Sequence, residues 1–206
     1  MKNISFLFQL LIKSDMFFSA GSSLQSKIMN FGCGNRKDPA HIGVDIADNA
    51  NADYIVAPGS PLPFPDDTFD MIISRYVLEH VKDLDQLMGE IFRVLKPGGM
   101  FRFCVPHAFS MDMYDDPTHC RFYTLRTMNY FTGASDVHYT ESHFNQSGIY
   151  LRLSLAYFRW RIIRYPMNIL LGSIGFVAPN LGEQLLKMPF ITGTIFFELK
   201  KSKFIG

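Results

Sequence analysis

The sequence predicts an α/β domain built on a mostly parallel sheet, and three observations carry that expectation. Short apolar runs bounded by turn formers recur between residues 28 and 105, which suits strands buried on both faces better than half-exposed antiparallel ones. One strongly amphipathic segment, residues 83–95, separates the fourth run from the fifth. The first run leads into Gly32-Cys33-Gly34 and the second ends at Asp45, positions where an open α/β sheet places its ligands.

Each element follows in order. Ile28–Phe31 is the first strand, Ile42–Ile46 the second, and Ala52–Ala57 the third, stopped by Pro58-Gly59. Residues 61–67 read as a loop closed by Asp66-Asp67, and Phe69–Ser74 is the fourth strand. In the helix over Asp83–Leu95, residues Leu84, Leu87, Met88, Ile91, Phe92 and Leu95 share one face. Asp83 is its N-cap, with Gln86 at the capping-box position, and Pro97-Gly98-Gly99 is a plain turn that stops it. Met100–Val105 is the fifth strand. Strand, connection, strand, helix, strand is the order of right-handed crossovers in a parallel sheet. Past Pro106 the pattern loosens. Residues 107–147 read as irregular with a helix near Thr124–Phe131, Tyr150–Arg164 as a long strand, Ile162–Met188 as one or two helices, and Gly193–Lys200 as the last strand.

Composition narrows the function classes. With 206 residues, 48% hydrophobic content and 20 Phe, the chain fills one sizeable core. A net charge of +1 argues against electrostatic capture of nucleic acid. Cys33, Cys104 and Cys120 have neither disulfide nor zinc-ligand spacing, so a reducing cytoplasm is the expected location. The apolar run Ile4–Ile12 is broken by Lys13 and Asp15, and Phe18 is a poor residue for a cleavage site. Residues 1–26 are therefore expected to form a helical extension packed on a domain spanning 27–206. Arg159, Arg161 and Arg164 beside the apolar 162–190 stretch leave peripheral lipid contact open, with core packing the preferred reading.

Glycines after strand one let the backbone approach a ligand, and a carboxylate ending strand two accepts hydrogen bonds from ribose hydroxyls. A dinucleotide fingerprint needs glycine at position 37, where Lys37 stands, and a P-loop is absent. That sets aside an NAD-dependent oxidoreductase and favours an adenosyl cofactor without a pyrophosphate.

The motifs "MNFGCG", "IGVDI", "LPFPDDTFDMIISRYVLEHV" and "EIFRVLKPGGMFRFCVP" resemble, in order, those of class I S-adenosylmethionine-dependent methyltransferases of the type-11 group. The later "DPTHCRFYTLRTMNYF" is more loosely similar to a segment of small bacterial members. The resemblance implies a Rossmann-like, doubly wound, seven-stranded sheet, mostly parallel with an antiparallel last strand, and a short first crossover with one turn of helix at most. It also implies S-adenosylmethionine as cofactor and O- or N-methylation of a small-molecule or sugar acceptor by a monomer or homodimer. Phe31, Gly32, Cys33 and Gly34 would face the methionine part, Asp45 the ribose and Ile46 the adenine. Ala57, Pro58 and Gly59 would border the adenine edge, where many relatives carry an acid that Ala57 lacks. Ser74, Arg75 and Tyr76 would lie near the sulfonium. A non-catalytic methyltransferase-like subunit is the competing class.

For a hydroxyl acceptor a base is needed, and His119 or His107 are the candidates because they follow strand five. Glu79 and His80 read as structural. The His and Asp residues of 107–119 match no defined metal site and read as a solvated acidic loop, so no metal is expected. Residues 107–147 and 162–190 would form acceptor-side or lid segments.

Overall fold

The computed structural model describes residue 18 and residues 26–132, 144–155, 161–187 and 191–202. Of the N-terminal extension, only Phe18 and Ser26 fall among them. Seven strands form one sheet: β1 (Ile28–Phe31), β2 (Ile42–Asp45), β3 (Tyr54–Ile55), β4 (Phe69–Arg75), β5 (Leu95–Pro106), β6 (Phe144–Leu155) and β7 (Ile191–Lys201). Their spatial order is β3-β2-β1-β4-β5-β7-β6. Strands β1 to β5 pair in parallel, and β7 runs antiparallel to both β5 and β6. The expected mostly parallel sheet with an antiparallel last strand is therefore the observed one. Strand order reverses between β1 and β4, where Phe31 pairs with Ser74, so the carboxyl ends of these strands flank the switch point at which such sheets bind ligands.

Alternation along the strands divides the core. On one face Met29, Ile72, Phe101 and Phe103 pack against helix α1 (Leu84–Val94) through Leu84, Met88, Ile91 and Val94. On the other, Ile28, Met71, Ile73, Cys104 and Phe196 cluster with the helical Phe18, which is 2% exposed. Asp83 caps α1 as expected, its carboxylate accepting from the Gln86 N–H at 3.0 Å. The reciprocal half of the capping box is missing, because the Gln86 side chain donates instead to the Gly59 carbonyl at 2.7 Å.

The short first crossover is as expected, and four other expectations change in the folded chain. The ten residues between β1 and β2 form turns without any helix. The third run shrinks to Tyr54 and Ile55, both exposed, because an edge strand has a neighbour on one side only. Strand β5 starts at Leu95 rather than Met100. Leu95 pairs with Phe69 and Met100 with Met71, so Pro97-Gly98-Gly99 bulges out of a continuous strand, with Gly98 at φ 80°. The helix near Thr124–Phe131 is a short 3-10 turn, Thr127–Phe131, and helix α2 (Asp112–Asp115) precedes it. The long strand over Tyr150–Arg164 becomes β6 plus helix α3 (Arg161–Val177). Strand β6 is paired until Leu155 meets Ile191, where β7 begins, so no partner remains to extend it. The two helices expected after residue 162 are α3 and α4 (Pro179–Leu185). None of the described helices is long and apolar enough to cross a membrane.

One side chain secures the loop after β3. The Arg93 guanidinium donates to the carbonyls of Leu62 and Phe64 and to the carboxylates of Asp66 and Glu90. Glu90 in turn accepts from the Leu62 N–H at 2.7 Å. Arg93→Met keeps helix propensity but strands two loop carbonyls and a half-buried carboxylate. It is expected to cost about 1–3 kcal/mol, read from the midpoint of urea unfolding.

Candidate functional site

The chain turns left-handed twice after β1, at Gly32 (φ 69°) and Gly34 (φ 49°). The N–H groups of Gly32 and Cys33 both donate to the Val44 carbonyl, at 2.8 and 3.3 Å. Gly34 donates to Asp45 Oδ2 at 2.7 Å, while Asp45 Oδ1 accepts from Ile46 and Ala47 at 2.8 and 3.0 Å. The carboxylate is thus the hub that fastens the glycine loop to the end of β2. Among the described residues three of its roughly four lone-pair sites are taken, which leaves one on Oδ2. Beside it Ile46 is 63% exposed, a large apolar side chain standing free at the mouth. A Cβ at Gly34 would meet nothing within 4 Å, so the loop is bordered by open space there.

Lys37, the residue that breaks a dinucleotide fingerprint, has its own task. Its ammonium pairs with Asp53 at 2.6 Å, and Asp53 also accepts from the Gly43 N–H at 2.7 Å. Its stem lies where a Cβ on Gly43 would sit, 2.5 Å away. Lys37→Gly would restore the glycine spacing but remove this tie. The variant is expected to lose about 1 kcal/mol in thermal unfolding and to gain no NAD affinity in a fluorescence titration.

The remaining strand ends converge from both sides. Asp45 pairs with Ile55, so Ala57, Pro58 and Gly59 leave β3 next to it. All three are exposed, and Gly59 is left-handed at φ 76°. Ser74, at the end of β4 beside Phe31, is fully buried with no hydrogen-bond partner on Oγ among the described residues. Arg75 projects elsewhere, its guanidinium 4.1 Å from the Phe18 ring centroid on the far core cluster. Tyr76 is left-handed at φ 55° and half-exposed, with its hydroxyl 3.2 Å from Thr194 Oγ1. Cys33 is buried, and that burial raises its thiol pKa.

The two base candidates differ in geometry. His107 is 0% exposed, Nδ1 accepts from the Phe109 N–H at 3.1 Å, and Nε2 lies 2.9 Å from Glu183 Oε1 on α4. Both ring nitrogens are engaged, and burial lowers its pKa against the opposing pull of Glu183. His119 uses Nδ1 toward the Met113 carbonyl at 2.9 Å. Its Nε2 lies 4.0 Å from Glu79 Oε1, beyond hydrogen-bond reach. The Glu79 side chain is fully buried, and burial pushes its pKa up to about 7. Glu79 and Glu183 escape sequence reasoning as site residues, since each meets its histidine only after folding. The sole local hint is the "LEH" triplet directly behind β4.

A surface cleft of about 270 Å³ lined by Asp70, Met71, Lys96 and Gly98 lies at the opposite, amino end of β4. It has no part in this strand-end site.

Residues 30–103 match the family described as "Methyltransferase domain", the type-11 group. The chain is 36% identical over 78 residues to the ubiquinone/menaquinone biosynthesis C-methyltransferase UbiE of Vibrio vulnificus, covering 38% of this chain and 27% of that protein. It is also 36% identical over 84 residues to the sterol 4-C-methyltransferase strm-1 of Caenorhabditis elegans, covering 41% and 25%. The chain thus spans about a quarter of the length of these curated relatives. A crystal structure of a SAM-dependent methyltransferase from Archaeoglobus fulgidus superposes with a TM-score of 0.55 at 15% identity, covering 97% of this chain and all of that one.

The residues present fit an adenosyl group: a glycine loop open on one side, a carboxylate with a vacant lone pair, and an exposed apolar neighbour. The 3-2-1-4-5-7-6 sheet, the glycine loop and the strand-end acid thus accompany a segment, residues 30–103, that matches the methyltransferase-domain family of the type-11 group.

Proposed function

We propose that the chain binds S-adenosylmethionine across the carboxyl ends of β1, β2 and β4 and supports methyl transfer to a small organic acceptor, sugars included. The observation that carries this reading is the Asp45 carboxylate. It fastens Gly34 at 2.7 Å and keeps one lone pair that no described residue uses. When bound, the cofactor supplies a methyl group already activated on a sulfonium. What remains for the protein is alignment and exclusion of water. Gly32 and Gly34 admit the cofactor's chain, Asp45 receives a ribose hydroxyl, and Ile46 packs on the adenine. Ala57 offers no carboxylate to the adenine amino group, so a backbone carbonyl of residues 57–59 serves instead.

The acceptor would rest against residues 107–131 and helices α3 and α4, beyond the segment shared with the relatives. Those relatives are named for carbon methylation of quinones and sterols. They extend the acceptor class from O- and N-nucleophiles to carbon ones. Neither histidine is assigned as base, because His107 has no vacant nitrogen and His119 faces a buried carboxylate.

Calorimetric titration with S-adenosylmethionine and S-adenosylhomocysteine tests the reading. One site of micromolar order for both is the expected result. Absence of binding at millimolar ligand would overturn it in favour of a non-catalytic methyltransferase-like subunit, the reading that the missing acid at Ala57 favours.

A further inference from the structure

We propose that Glu79, His80 and His119 form a binding site for a divalent transition-metal ion of the zinc class. Glu79 and His80 lie in the 3-10 turn Leu78–His80 directly behind β4, and His119 lies in the loop after α2. One ligand atom from each converges so that all lie within 4.8 Å of one another. Two ligands bound at 2.0–2.2 Å about a tetrahedral ion stand roughly 3.4 Å apart. An inward shift of about 1 Å, within side-chain rotation, would close the set.

The carboxylate is the observation that asks for a cation. Glu79 is 0% exposed and neither carboxylate oxygen has a hydrogen-bond partner among the described residues. A buried carboxylate left so is costly. His119 is too far away to satisfy it without movement, Nε2 standing 4.0 Å from Oε1. An ion between these atoms satisfies both at once.

The surroundings match those of metal-bound imidazoles, which almost always donate their second ring N–H to an oxygen that sets tautomer and orientation. His119 Nδ1 donates to the Met113 carbonyl at 2.9 Å, leaving Nε2 for the ion. His80 Nδ1 lies 2.8 Å from Thr118 Oγ1, whose hydroxyl donates onward to Asp116 Oδ1 at 2.6 Å. This leaves His80 Nε2 as the ligand atom. The two rings face each other edge-on, centroids 4.6 Å apart.

The frame is rigid as well. The Glu79 carbonyl accepts from the N–H groups of Cys120 and Arg121, at 2.8 and 3.1 Å, and Tyr123 donates to the Leu78 carbonyl at 3.0 Å. The turn and the loop that supply the ligands are therefore fastened together on both sides of the cluster. Two imidazoles and a carboxylate suit zinc, cobalt, nickel or ferrous iron rather than magnesium or calcium. Three protein ligands leave a further position for water or an acceptor oxygen. Bound this way, His119 Nε2 has no lone pair left for a proton, so the ligand role replaces the base role.

The full chain, freed of metal by chelation, would be titrated with Zn²⁺ by calorimetry and with Co²⁺ by visible absorption. One ion per chain is expected. His80→Ala and Glu79→Gln should each weaken binding by more than about 100-fold, and Thr118→Val by roughly 10- to 100-fold. Asp115→Asn, in the neighbouring acidic loop, should bind as tightly as wild type. Circular dichroism and S-adenosylhomocysteine binding verify that each variant is folded, and the substitution at His80, on the solvent side, disturbs packing least. No stoichiometric uptake by the wild type, or equal affinity in folded His80→Ala and Glu79→Gln, would overturn the assignment. Unchanged S-adenosylhomocysteine binding in these variants keeps this test separate from that of the cofactor site.

Discussion

Asp45→Ala is expected to weaken S-adenosylhomocysteine binding by at least tenfold, and by about 100-fold if the glycine loop loosens with it. A hydrogen bond to a charged acceptor contributes about 1.5–3 kcal/mol, equivalent to roughly 10- to 150-fold in affinity. Alanine removes the proposed ribose contact, and it also releases the N–H groups of Gly34, Ile46 and Ala47 that the carboxylate now holds. The second loss lowers stability as well as affinity, so the two must be measured apart. Asp45→Asn separates them. An amide oxygen placed as Oδ1 still accepts from Ile46 and Ala47, whereas the amide nitrogen would confront the Gly34 N–H, donor against donor. Affinity in Asp45→Asn should fall between alanine and wild type while most of the thermal stability is retained. A folded Asp45→Ala chain with wild-type affinity would remove Asp45 from the cofactor site.

Gly32→Ala should be strongly destabilising, since it combines a left-handed backbone with a steric clash. Its φ of 69° costs an L-residue about 1–2 kcal/mol. Its Cβ would also fall 2.2 Å from Val77 Cγ2 and 3.0 Å from Cγ1, an overpacking of about 1–3 kcal/mol. Together these give about 2–5 kcal/mol in urea unfolding. Val77→Ala in the same chain relieves the clash and leaves the backbone term, so a double-mutant cycle should show coupling of at least 1 kcal/mol. Gly34→Ala is the contrasting case, left-handed but facing open space. Its stability loss should be smaller, and its effect should appear in cofactor affinity. A Gly32→Ala loss within 0.5 kcal/mol, or no coupling to Val77, would show that the loop yields and that Gly32 is not required for its shape.

Strands β1, β2, β4 and most of β5, and helix α1, were legible because their signals are local. A buried parallel strand is a short apolar run whoever its neighbour is, and α1 declares its core face through Leu84, Met88, Ile91 and Val94. The placement of the glycine loop and Asp45 at neighbouring strand ends was legible for a related reason, since each directly follows a local apolar run. Arg75 shows the limit of that reading. It occupies the right strand end, yet side-chain alternation turns it toward Phe18 on the far face.

What remained hidden depends on partners distant in sequence. The end of β6 is decided by where β7 begins, so the alternation after Tyr150 misled. The shortness of β3 reflects its place at the sheet edge. Lys37 finds Asp53, His107 finds Glu183, and Glu79 finds His119, across gaps no periodicity spans.

The sequence by itself determined that this chain builds a mostly parallel α/β sheet with a glycine loop beside a strand-end acid, because apolar period, glycine spacing and strand-end acids act over a few residues. Only the tertiary structure decided which lone pair of Asp45 stays vacant, which histidine keeps a bare nitrogen, and that a buried carboxylate stands among two imidazoles. Hydrogen-bond saturation and desolvation are properties of the packed neighbourhood, and that neighbourhood exists only once the chain has folded.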